Sequence, residues 1–133
     1  MKRRISGVAV ILTLVLLCGC GEAAQVRLDE ERSRLSDFTV VDGNVCIACT
    51  LVIENSTGGA AEVRITASSP EDVTGGLLQS AKLTGYDESL SSGVFTLKEG
   101  ENTIAVVFIG AFGGTEVKQD RLLPDDIRLD IVS

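Results

Sequence analysis

From residue 36 to the end of this chain, apolar side chains recur at every second position. A period of two belongs to the pleated strand and not to the helix, because successive Cβ atoms of a strand point to opposite faces. The clearest run is residues 45–54. Val45, Ile47, Cys49, Leu51 and Ile53 share one face, and Cys46, Ala48, Thr50, Val52 and Glu54 share the other. Both faces are largely apolar, which predicts a central strand covered on much of both sides. Residues 62–68 alternate more sharply: Val63, Ile65 and Ala67 point inward, and Glu62, Arg64, Thr66 and Ser68 outward. Shorter stretches at 38–40, 77–84, 94–98, 103–109 and 127–132 bring the expected strands to seven. Turn chemistry separates them. Asp42-Gly43 is a tight-turn pair, Asn55-Ser56-Thr57-Gly58-Gly59 a turn cluster, and Gly85 to Ser89 a loop. Ser69-Pro70-Glu71-Asp72 suits a turn or a single helical turn, and Gly110 with Gly113-Gly114 predicts a mobile loop through Glu116. No long amphipathic helix is in evidence. The expected fold is all-β, a single small antiparallel β-sandwich.

The N-terminus is of another kind. Lys2-Arg3-Arg4 precedes an uncharged run over residues 5–17, which ends in Leu17-Cys18-Gly19-Cys20. A permanent helical span needs ~20 apolar residues, so this run is short for one, and no basic stop-transfer cluster follows it. The cationic start and short apolar core read as a secretory signal. The segment Leu17-Cys18-Gly19-Cys20 resembles the lipid-attachment box of bacterial lipoproteins. That resemblance implies cleavage after Gly19 and thioether diacylglycerol on Cys20. Two acyl chains suffice for stable anchoring. Localisation at the cell membrane or outer membrane, on the extracytoplasmic side, follows from the same resemblance. Residues 1–19 are thus expected to be removed, 20–34 to form the lipidated cysteine and a tether, and 35–133 to form the sandwich. In the tether, Glu30–Arg34 and Arg27–Glu31 have i,i+4 spacing, which allows a short fraying helix with little apolar face.

Charge and composition narrow the function. Losing Lys2, Arg3 and Arg4 takes the basic residues from 12 to 9 against 19 acidic ones. So acidic a domain is a poor partner for nucleic acid, which needs clustered Lys and Arg. The chain has no His, which excludes Ser-His-Asp and Cys-His catalysis and imidazole metal sites. It has no Trp and a single Tyr, Tyr86, which argues against stacking platforms for sugars or single-stranded bases.

The sharpest chemical motif is Cys46-Ile47-Ala48-Cys49. A redox C-x-x-C sits where a loop enters a helix, whereas this one lies in a strand pattern. Three residues of strand span ~10 Å and leave the two side chains on opposite faces. A disulfide needs Cα atoms ~4.4–6.8 Å apart, so only a bulged strand would permit one. The readings left open are two buried thiols, a disulfide at a distorted strand end, and a metal or catalytic thiol site. The acidic groups Glu71-Asp72, Asp87-Glu88 and Asp125-Asp126 with Asp130 match no EF-hand spacing and read as solvated surface. Lys118, Arg121 and Arg128 beside Asp125-Asp126 read as surface ion pairs holding a corner.

The strand-and-turn pattern Val45-x-Ile47, Leu51-x-Ile53-x-Asn55, Val63-x-Ile65 and Phe95-x-Leu97-x-x-Gly100 resembles the immunoglobulin-like sandwiches of bacterial surface lipoproteins. It lacks the Cys-Trp-Cys signature of true immunoglobulin domains. The expected protein is a non-enzymatic interaction or structural module of the cell envelope, without a cofactor. It would be joined to the membrane through Cys20 and would meet an envelope protein partner through the loops at 70–76, 86–93 and 110–118. The rival is an envelope thiol-redox or metal-handling protein using Cys46 and Cys49.

Overall fold

The computed structural model describes residues 25–115 and 123–132, so the expected signal segment, Cys20, Lys118 and Arg121 lie outside the described residues. Within them the chain is an antiparallel all-β fold with one short helix. Its elements are β1 (Val26–Val41), β2 (Asn44–Asn55), β3 (Ala61–Ser68), α1 (Pro70–Thr74), β4 (Lys82–Tyr86), β5 (Val94–Leu97), β6 (Gly100–Ala111) and β7 (Arg128–Ile131). The strand path is β1-β2-β6-β4-β3-β5, with β7 on the other edge of β3. β5 and β4 follow one another along the same edge of β3, the first opposite residues 61–64 and the second opposite 66–68. The strands of this sheet enclose one core in a sandwich-like arrangement.

That core is the alternation predicted above. Val45, Ile47, Cys49, Leu51 and Ile53 of β2 are buried, as are Val63, Ile65 and Ala67 of β3, Val106 and Phe108 of β6, Leu83 of β4, and Phe95 and Leu97 of β5. β2 is central, paired to β1 on one side and to β6 on the other, and its β6 ladder runs unbroken from Asn44 to Asn55. The Asp42-Gly43 turn has positive φ at both residues, 52° and 80°, as a two-residue hairpin with right-handed twist requires.

The expected tether over 20–34 is corrected where its residues are described. Residues 26–34 belong to β1, and the helical pairing of Glu30 with Arg34 is not made. The reason lies in β1's parity. Leu28, Leu35, Phe38 and Val40 all pack on the core, yet 28 to 35 and 35 to 38 are odd steps that a regular strand cannot place on one face. Two irregularities reset the register, between Asp29 and Arg34 and between Leu35 and Asp37. After each, the apolar residues again oppose inward residues of β2: Leu28 faces Ile53, Leu35 faces Cys49, and Phe38 faces Ile47.

Two smaller expectations also shift. The strand expected at 77–84 lies at Lys82–Tyr86. Leu77 and Leu78 are both fully buried in the connection after α1, where both backbone N–H groups donate to the Asp72 carbonyl. Outside a strand, two adjacent side chains can both enter the core. Gly110, expected to open a mobile loop, lies inside β6, and residues 111–115 are hydrogen-bonded to neighbouring segments.

Candidate functional site

The two thiols of the C-x-x-C stretch are free. Cys49 is inward, opposite Leu35 on β1 and Val106 on β6. Cys46 is half-buried on the outer face, opposite Thr39 and Ile109. The unbroken ladder holds them on opposite faces, so the structure does not bring them together. Burial pushes the Cys49 thiol up to about 11, away from the thiolate a redox or metal site requires.

An ion-pair cluster sits on the first β1 irregularity. Arg32 Nε donates to Asp29 at 2.8 Å, and its Nη2 donates to Glu101 on β6 at 2.5 Å. Hydrogen bonding to Glu101, then to Asp29, raises the Arg32 guanidinium further above its ordinary value, and Arg32 in turn lowers both carboxylates. All three groups are exposed enough to be screened by water, so the cluster fixes geometry more than it stabilises. Beneath it the Ser33 hydroxyl donates to the Asp29 carbonyl at 2.7 Å and accepts the Val52 N–H at 2.9 Å. The side chain thereby replaces the ladder bond that the irregularity removes.

Beside this feature a groove of about 490 Å³ opens between β1 and the approach to β7. Glu30, Ser33, Arg34 and Leu35 line one wall, and Leu123, Pro124, Asp125 and Ile127 the other. Its chemistry is mixed polar and aliphatic, suited to non-covalent contact. Among the described residues no three His, Cys, Asp or Glu side chains are gathered where they could hold a metal ion.

Of the three loops expected to contact a ligand, two meet at one end. The Gly113 N–H donates to the Leu77 carbonyl at 2.7 Å, the Thr115 N–H to Gly76 at 3.0 Å, and the Phe112 N–H to Gly43 at 2.9 Å. The third, after β4, projects from the side. There Asp87 accepts the N–H of Ser91 at 2.9 Å and hydroxyl bonds from Ser89 and Ser91. These bonds, led by the Ser91 N–H, lower its carboxyl. The loop's tip is Leu90, half exposed and at φ 60°, a conformation that L side chains rarely adopt. Nothing in the sequence marked Leu90, since a leucine in a polar loop reads as an ordinary connection.

Asn55, which opens an Asn-Ser-Thr triplet, is fully buried. Its amide donates to the carbonyls of Gly59, Lys98 and Leu97, and its oxygen accepts the Thr57 N–H and hydroxyl. The triplet is turn chemistry, and its side chain is closed off from modification in the folded domain.

Comparison with protein-family models, curated proteins and solved structures finds no match to this chain.

Proposed function

We propose that this protein is a lipid-anchored, extracytoplasmic β-domain with an immunoglobulin-like build, serving the cell envelope as a non-enzymatic interaction or structural module. The observation that carries the reading is Leu17-Cys18-Gly19-Cys20, set after a basic start and a short apolar run. The domain behind it has an apolar core, charged outer faces and no His, which suits a module that binds through loops and grooves. The rival built on Cys46 and Cys49 loses support from their opposite facing and from the burial of Cys49. Among the described residues no helix is long and apolar enough to cross a membrane; in this reading the lipid on Cys20 supplies the attachment.

The test is fatty-acid incorporation. In a bacterial host expressing the full chain and fed labelled palmitate, the label should travel with the wild-type protein and be lost in Cys20→Ser. Label that persists in Cys20→Ser, or never enters the wild type, overturns the proposal.

A further inference from the structure

The strand register gives the sandwich two distinct ends. At one, Val26 pairs with Asn55 and Asn55 with Gly100. At the other, Val41 pairs with Asn44 and Asn44 with Ala111. The 12 residues of β2 separate these ends by ~36 Å at strand rise. The chain enters at the first end, where the Ser56 N–H donates to the Gln25 carbonyl at 2.6 Å. Gln25 is five residues beyond Cys20, and five residues reach at most ~18 Å. A bilayer holding Cys20 therefore lies within ~18 Å of the Asn55–Gly100 end. An inverted pose, with the other end on the membrane, would lift Gln25 to twice that height.

The entry end carries an uncharged loop and charged side chains of both signs. Residues 56–60 are Ser-Thr-Gly-Gly-Ala, with no charge, and Lys98 stands exposed beside them. Three exposed carboxylates lie at this end: Glu99 accepts the Gly58 N–H at 2.8 Å, Glu101 is paired to Arg32, and Glu54 stands opposite Glu101 in the ladder.

Resting on the lipid-anchor reading, we infer that the end built by residues 55–60 and 97–101 is the bilayer-facing surface, in contact with lipid headgroups. The end built by Asp42-Gly43, residues 76–79 and residues 111–115 then faces outward. The lateral Leu90 loop stands between them.

The experiment uses the full chain, processed in a bacterial host and reconstituted into vesicles whose headgroups carry a spin-label quencher. In a Cys46→Ala background, one fluorophore is placed at Ser56→Cys and, separately, at Val41→Cys, both exposed positions. Flotation reports anchoring, and quenching reports orientation. The expected result is that both proteins float and the probe at position 56 is quenched severalfold more than the probe at 41. Flotation with equal quenching, or with more quenching at 41, overturns the orientation alone. Failure to float, with each labelled domain retaining its far-ultraviolet spectrum, overturns the lipid anchor and the orientation with it.

Discussion

Cys49 behaves as a small core residue whose proton matters. Its folded thiol is held near 11 against an ordinary value of 9.0. Between those values the unfolded chain has released the proton and the folded one has kept it, so stability must fall as pH rises through that window. Two units correspond to at most about 2.7 kcal/mol. Urea unfolding on either side of the window should show the fall, and Cys49→Ala should flatten it relative to the wild type. An unchanged slope in the variant would place the thiol in water. Asn55 sits at the same scale. It ties the 56–60 loop to the turn after β5, and Asn55→Ala strands several carbonyls and the Thr57 donors. A loss of about 2–4 kcal/mol is expected by chemical denaturation, because buried groups left unpaired cost more than a hydrogen bond contributes. Its burial was not legible in the sequence. Asn-Ser-Thr-Gly-Gly announces a turn, but the carbonyls that close around the side chain come from Leu97 and Lys98, 42 and 43 residues away.

Among the elements, β2, β3 and the middle of β6 could be read from alternation alone, since each is regular and one face of each is buried. β1 could not. It is an edge strand, its outer positions are charged, and its apolar residues fall at odd spacings that only the two register shifts reconcile. Charge pairs at i,i+4 therefore suggested a helix where the chain is extended. The first irregularity depends on Ser33, and Ser33→Ala should leave the Val52 N–H buried without its acceptor, at a cost of about 1–3 kcal/mol. Ser33→Thr keeps the hydroxyl and should recover most of it. β4 was misplaced because Gly85 looks like a loop residue. It is a glycine for a steric reason instead: a Cβ there would lie 2.7 Å from the Ile65 carbonyl oxygen and 3.0 Å from Val106 Cγ1. Backbone cannot yield as a flexible side chain can, so Gly85→Ala should destabilise the fold by about 1–3 kcal/mol. A neutral result in a thermal melt would mean that β4 and β3 are not packed this closely.

At the scale of the whole molecule, the described strands close around one apolar core. The fold class was legible because binary patterning largely decides it. The groove beside β1 was not, because it depends on an irregularity and on residues 123–127, nearly a hundred positions from Glu30. Nor was the union of two loops at the Asp42-Gly43 end, which rests on backbone bonds between residues 43, 76, 77, 112, 113 and 115. The proposed location, orientation and outward-facing surface all rest on a covalent lipid at Cys20. The direct measurement is the mass of the N-terminal peptide from protein extracted from membranes. The account predicts a peptide that begins at Cys20 and carries diacylglycerol through its sulfur. A peptide that begins elsewhere, or an unmodified Cys20, would contradict it.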